Sequence, residues 1–318
     1  MEKSLAVLMD PIQSINFHKD TTLSILFAAQ RQGFRLFYME QNNLFLENGH
    51  PFAEVRPLRV FDDPDLWYEL DHQSAVPLCE FDVILMRKDP PFDSEYIYST
   101  YILEAAEKRG TLVVNKPQSL RDCNEKIFAT EFPQCTPPLL VSRSIKRLKA
   151  FLKEHNEVVY KPLDGMGGTS IFRVNAKDQN LNVILEMLTK YGSETIMAQK
   201  YLPEITEGDK RVLVVGGEII PFCLARIPTA DDFRGNLAAG GRGEVRPLSD
   251  RDQWIAQQVA PILVERGLLF VGLDIIGDYL TEINVTSPTC AQEIDRSQNT
   301  AIGDKLIATI NRQLAQKA

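Results

Sequence analysis

The chain has 318 residues, of which 44% are hydrophobic and 25% charged, with a formal net charge of −8. That length allows two or three domains with substantial cores, and that composition excludes a disordered chain or a membrane protein. The acidic balance argues against a broad nucleic-acid interface, so any clustered positive groups are expected to serve a small anionic ligand.

Cys79, Cys123, Cys135, Cys223 and Cys290 are widely spaced and odd in number, which fits neither a disulfide framework nor a zinc knuckle and suggests a reducing compartment. His18, His50, His72 and His155 lack the close pairing a zinc site needs. The first apolar run, Leu5 to Met9, ends at Asp10. It is too short for a signal-peptide core or a membrane span, so a cytoplasmic protein is expected.

From Leu5 to Asn115 short β-rich runs alternate with amphipathic helices, the pattern of an open α/β layer. Leu23, Leu26 and Phe27 fall at helical spacing before a stop at Gly33. Asn48-Gly49 between apolar runs predicts a hairpin, and strands over Phe81–Met86 and Thr111–Val114 flank a helix ending near Gly110. A first domain is expected over residues 1–120. A central lobe, 121–200, should hold helices around Cys123–Thr130 and Ile145–His155, then strands over Val158–Lys161 and Thr169–Val174. Residues 201–318 predict strands at Arg211–Val215 and Glu218–Arg226 around a Gly216-Gly217 turn, then a helix from Asp250 to Arg266. Strands at Leu269–Ile276 and Leu280–Ile283 and a helix from Thr300 to Gln316 complete that part.

The residues able to carry chemistry are spread along these elements. Lys161 ends a strand directly before a glycine turn containing Gly165, Gly167 and Gly168. Glycines let backbone N–H groups approach a polyphosphate, and the lysine supplies compensating charge; no Walker A loop is present. Lys126, in a helical pattern, joins Lys161 as a candidate phosphate ligand only if the two converge. Gln199-Lys200-Tyr201-Leu202, halted by Pro203, reads as an extended run that presents its backbone to an adenine edge or as a plain linker.

Near the C-terminus, Asp274 to Asn284 reads as a hairpin. A three-residue turn, Gly277–Tyr279, sets Asp274 opposite Glu282 with Asn284 on the same face, whereas a two-residue turn separates the two acids. Facing buried carboxylates call for a cation such as Mg²⁺ between them. Arg211 and Arg226 should fall near the same end of an antiparallel pair, where guanidinium groups suit a carboxylate or a transferring phosphate. Residues 226–244, with Arg234, Gly240, Gly241 and Arg242, are too glycine-rich for a helix and too polar for a core strand, and read as a lid.

Taken in order, Leu85–Asp93, Asn115–Lys126, Lys161–Gly168, Gly208–Arg211, Arg234–Glu244 and Leu273–Pro288 resemble the bacterial glutathione synthetases of the ATP-grasp superfamily over nearly the whole chain. The resemblance implies an α/β ATP-grasp fold: an N-terminal pre-ATP-grasp domain, a small central lobe and a C-terminal α+β lobe. It implies ATP between two lobes, with Lys126, Lys161, Gly165, Gly167 and Gly168 at the phosphates, Gln199, Tyr201 and Leu202 at the adenine, and Asp209 and Arg211 also on the nucleotide side. Asp274, Glu282 and Asn284 would hold two Mg²⁺ or Mn²⁺ ions. The dipeptide γ-glutamylcysteine would meet Arg87, Arg211, Arg226, Ser287, Pro288 and Thr289, with Lys161, Arg211 and Arg226 as catalytic cations and glycine as the second substrate. Similar enzymes are homotetramers, and neither nucleic-acid nor membrane partners are implied. Another ATP-grasp ligase, or a silent nucleotide-binding regulator, would share parts of this pattern; the regulator should lack the metal and phosphate ligands, all of which are present here.

Overall fold

The structure, a computed structural model, describes residues 2–165, 168–229, 235 and 240–317. Gly167 and Arg234 lie outside the described residues.

The first unit runs β1 (Ser4–Met9), α1 (Thr21–Arg31), β2 (Arg35–Met39), β3 (Leu44–Glu47), β4 (His50–Val60), β5 (Tyr68–Leu70), β6 (Ser74–Pro77), β7 (Val83–Arg87), α2 (Ser94–Glu107), β8 (Leu112–Val114) and α3 (Pro117–Asp122). Every side chain of β1 is buried, which a strand sustains only when both sheet faces are covered. It lies parallel between β2 and β7 in the order β3-β4-β2-β1-β7-β8. Asp20 and Asp93 start α1 and α2 by accepting the N–H groups of Leu23 and Tyr96. The expected hairpin forms: Glu47 pairs with His50, and Asn48 and Gly49 both take the positive φ that a tight two-residue turn demands.

The central lobe holds β9 (Leu139–Ser142), α4 (Ile145–His155), β10 (Glu157–Pro162), β11 (Phe172–Asn175), α5 (Leu181–Leu188) and β12 (Ile196–Lys200), its sheet ordered β11-β10-β12-β9. Leu148, Leu152, Tyr160, Ile184 and Leu185 form its own apolar cluster. The third unit holds β13 (Asp209–Val215), β14 (Glu218–Ile227), β15 (Arg242–Pro247), α6 (Asp250–Glu265), β16 (Phe270–Ile276), β17 (Tyr279–Asn284), α7 (Ala291–Gln298) and α8 (Ile302–Lys317), with sheet order β15-β14-β13-β16-β17.

The first and third units share their cores. Leu5, Leu26, Leu213, Leu306 and Ile310 belong to one buried cluster, and Ala6, Phe128, Leu273 and Ile283 to another. Asn115 fastens the seam. Its side-chain amide donates to the carbonyls of Phe270 and Val285, and its oxygen accepts from the N–H groups of Leu269 and Phe270. The two sheets therefore share one packed floor, and the central lobe has a core of its own.

Three local expectations change. In place of one helix around Cys123–Thr130 there is α3, then a turn, then a short 3₁₀ segment at Phe128–Glu131. The cause is Asn124, whose Oδ1 accepts from the N–H groups of Lys126 and Ile127 and so competes with helical bonding. β11 starts at Phe172, after a turn through Thr169 and Ser170. The end of the predicted lid is a strand, since Arg242 and Gly243 pair with Ile227 and Arg226. β15 tolerates its polar sequence because it lies at the sheet edge.

Candidate active site

A cavity of about 380 Å³ opens between the central lobe and the third unit's sheet. Lys126 and Lys161, from separate segments, both reach it. Lys161 Nζ lies 3.1 Å and Lys126 Nζ 3.6 Å from Glu282 Oε1, and Lys126 also donates to the carbonyl of Gly165 at 2.8 Å. Both lysines are at least 95% buried, with relative exposures of 3% and 5%, so their charges act in a weakly screened space. Gly168 lies on the same wall. Burial alone would raise the Glu282 carboxyl; the ammonium groups of Lys126 and Lys161 outweigh it and hold the pKa below its usual value.

β12 and the residues after it form the other side of the cleft. Gln199 is buried in the strand, and Lys200, Tyr201 and Leu202 follow it along the wall, with the apolar Val159, Ile171 and Ile276 completing a slot. The Arg173 guanidinium lies 3.7 Å from the Tyr201 ring centroid, fixing that ring.

The metal-candidate hairpin reaches the expected pairing by an unexpected route. Ile276 pairs with Tyr279 and Ile275 with Leu280, so the turn has two residues, not three. The register then shifts, and Asp274 pairs with Glu282 and Gly272 with Asn284. Thr281 is the extra residue of a β-bulge, its hydroxyl donating to the carbonyl of Asp274 at 3.1 Å. One inserted residue restores the side-chain alternation that a regular two-residue hairpin would lose. Asp274, Glu282 and Asn284 therefore all line the cavity.

Arg211 and Arg226 converge on Asp274. Arg211 donates through Nε at 2.5 Å and Nη2 at 3.0 Å, while Arg226 Nη2 approaches at 2.9 Å and also bonds Asp209 at 2.5 Å. Asp274 stays well below the ordinary carboxylate range, because both guanidinium groups outweigh its burial. Asp209 goes the other way: burial pushes it up to about 6 despite Arg226, and the nearby Asp274 charge adds to the rise. Its Oδ1 has no hydrogen-bond partner among the described residues. Gly272 makes room for this cluster, since a Cβ there would lie 2.7 Å from Arg211 Cδ.

At the far end Ser287 and Thr289 line the cavity. Arg87 and Pro288 do not line it: Arg87 is packed behind the wall, donating to Thr22 Oγ1 at 3.1 Å and to the Pro288 carbonyl at 2.9 Å, and burial lowers its pKa. Gly240, Gly241 and Arg242 also lie off the cavity lining, although Gly235 from the same stretch is on it. Sequence reasoning missed Glu125, whose half-buried carboxylate faces the site beside Lys126. Its one signal was its position next to a candidate phosphate ligand.

A nucleotide-sized cleft between a small antiparallel lobe and a sheet carrying paired cations and acids defines an ATP-grasp protein. Solved structures agree on the fold: D-cycloserine synthetase aligns with a TM-score of 0.66 at 12% identity, over 98% of this chain and 99% of the other. D-alanyl-alanine synthetase A from Vibrio cholerae aligns at 0.61 and 14%, over 99% of each. The models of the prokaryotic glutathione synthetase N-terminal domain and ATP-grasp domain match residues 4–121 and 125–299. The glutathione synthetase of Pseudomonas aeruginosa is 62% identical over 317 residues, 100% of both chains, and that of Vibrio parahaemolyticus is 55% identical over 98% of each. The chain belongs to the prokaryotic glutathione synthetase family.

Proposed function

We infer that this chain is an ATP-dependent carboxylate–amine ligase that joins γ-L-glutamyl-L-cysteine to glycine, giving glutathione, ADP and phosphate, the second step of glutathione biosynthesis. The observation that carries the reading is the convergence of Lys126, Lys161, Arg211 and Arg226 with Asp274 and Glu282 in one cavity. Similarity over the full chain to glutathione synthetases supports the choice of substrates.

A carboxylate resists attack by an amine until one of its oxygens becomes a leaving group. In this reading the cysteine carboxylate of the dipeptide takes the γ-phosphoryl group of ATP and becomes an acyl phosphate; glycine's amine then attacks the carbonyl carbon, and phosphate leaves through a tetrahedral intermediate. Lys126 and Lys161 exchange Glu282 for phosphate oxygens, and the backbone of Gln199 to Leu202 holds the adenine. Arg211 and Arg226 orient the carboxylate and neutralise charge as the phosphoryl group moves, a step that needs positioning and electrostatics rather than covalent help. Ser287 and Thr289 bound the dipeptide end, with Arg87 and Pro288 behind them. Arg234 and the 240–242 stretch belong to a segment that we assign to closure over the intermediate, excluding water.

Asp274, Glu282 and Asn284 form an all-oxygen donor set on one hairpin face, which fits a hard divalent cation. No three His, Cys, Asp or Glu side chains form a metal cluster among the described residues, so such a site needs the Asn284 amide. Two Mg²⁺ or Mn²⁺ ions bound there with the nucleotide would supply Lewis-acid neutralisation of phosphate charge.

We divide the work among residues 1–120, which close the dipeptide end, 121–200, which cover the nucleotide, and 201–318, which carry the acids and arginines. A cytoplasmic homotetramer completes the proposal; no helix among the described residues is long and apolar enough to cross a membrane.

The test is phosphate release from ATP and Mg²⁺ with the dipeptide and glycine supplied separately and together. Release that requires both, with one glutathione per phosphate, is the expected result; release only with another carboxylate and amine would keep the fold and replace the substrates.

A further inference from the structure

The acceptor amine reaches the reaction as an ammonium ion, for which the strongest binding group is an anion not already committed to another cation. Among the described residues, the carboxylates lining the cavity are Asp89, Glu125, Asp209, Asp274 and Glu282. Asp274 is held by two guanidinium groups, Asp209 by Arg226, and Glu282 by two lysines, and in the loaded site proposed above Asp274 and Glu282 are assigned to the divalent cation. Asp89 is exposed at the rim, where an ion pair is screened and weak.

Glu125 differs from all of these. Its Oε1 accepts from the Thr286 hydroxyl at 2.8 Å and from the N–H groups of Val285 and Thr286 at 3.2 and 3.3 Å. These bonds fix the carboxylate, yet no ion pair and no hydrogen bond to its Oε2 is formed by any described residue. A water-sized space of about 20 Å³, walled in part by Leu120, Cys123 and Leu163, adjoins Glu125, and no lysine or arginine among the described residues lines it. Burial raises the Glu125 carboxyl and outweighs the Thr286 hydrogen bonds and the Lys126 ammonium, which lower it, while the Glu282 charge adds to the rise; an arriving cation would offset the rise. Glu125 is next in sequence to Lys126 on the phosphate side, and its anchor Thr286 is next to Ser287 on the dipeptide side. It therefore stands where the acyl phosphate would meet its acceptor.

We propose that Glu125, held rigid by Thr286, is the group that binds the ammonium of the acceptor amino acid and holds it beside the acyl phosphate, where its nitrogen attacks once it has given one proton to water. This rests on the ligase reading above and names the residue by which that site recognises its second substrate.

The test compares the wild-type enzyme with Glu125→Gln, which keeps the size and an acceptor for Thr286 but removes the charge. The expected result is a rise of about 10- to 100-fold in the KM for glycine, the effect of losing one charge-assisted bond, with the KM values for ATP and dipeptide nearly unchanged. Two readouts separate recognition from a structural defect. Dipeptide-dependent positional isotope exchange in ¹⁸O-labelled ATP without glycine should persist, and hydroxylamine, an uncharged acceptor at the assay pH, should trap the acyl group at the wild-type rate. A glycine KM within about twofold of wild type overturns the proposal, as does a parallel loss of exchange, hydroxylamine capture and glycine use. Should E125Q fail to fold, Thr286→Val carries the same test, and its glycine KM must rise while exchange is kept. Failure of the wild-type enzyme to form glutathione would instead overturn the underlying reading.

Discussion

Asp274 and Glu282 face one another across a hairpin whose turn, taken alone, would have set them on opposite faces. The bulge at Thr281 corrects the register, and each acid then holds a pair of cations: Arg211 and Arg226 on Asp274, Lys126 and Lys161 on Glu282. Each of these four cations is thus paired with an acid before substrates arrive.

Removing one cation should slow the chemistry without unfolding the protein. Lys161→Ala and Arg211→Ala are each expected to cost on the order of 3 kcal/mol in the barrier, roughly a hundredfold in kcat/KM. Gly272→Ala should reproduce part of the Arg211 effect at a distance, because the added Cβ would lie 2.7 Å from Arg211 Cδ and 3.1 Å from Pro288 Cβ. Steady-state assays on the three variants check this; wild-type turnover in G272A would mean that Arg211 does not need its present position.

Glu282→Gln leaves Lys126 and Lys161 buried near one another with no carboxylate between them. Breaking a buried pair in this way costs about 3 to 5 kcal/mol, so the ligand-free variant should show a lower urea midpoint with an unchanged slope. A nucleotide, whose phosphates replace the lost anion, should restore part of the difference. An unaltered midpoint would show that the ion pairs contribute nothing to the ligand-free state.

The pH dependence of stability should carry the mark of Asp209. Its folded pKa, about 6, is raised above the unfolded value of about 3.9. A raised acid binds its proton more tightly when folded, so its contribution is fully present below the unfolded pKa and is lost as pH rises through the folded one. The stability difference between wild type and Asp209→Asn should therefore move against the wild type between about pH 4 and pH 6 and level off above. Denaturant melts at intervals across that range measure it, and a flat difference would rule out the raised pKa.

Asn115→Ala should be among the most damaging substitutions remote from the cavity. It strips partners from the carbonyls of Phe270 and Val285 and the N–H groups of Leu269 and Phe270, all at a buried seam. At roughly 1 to 3 kcal/mol per unsatisfied group, a loss of about 4 kcal/mol or more is expected from chemical denaturation. A loss near 1 kcal/mol would mean that water enters and satisfies those groups.

Much of this protein was legible in its sequence because the signals were local. The helix expected over Ile145–His155 forms as α4 with those bounds, and the paired glycines at 216 and 217 gave the turn between β13 and β14. The glycine stretch after Lys161 and the acids of the last hairpin pointed to an anion and a cation in one place. Tertiary structure decided what depends on partners far along the chain. Asn124 broke an apparent helix through side-chain bonds no periodicity records. Thr281 reset a register that turn length alone would have assigned wrongly. Arg87, a recognisable substrate candidate, was drawn behind the wall by Thr22 and Pro288, and Glu125 acquired its place only when residues 285 and 286 folded against it. Local pattern fixes which backbone hydrogen bonds a segment can make; only long-range packing fixes which side chains end up sharing one desolvated space.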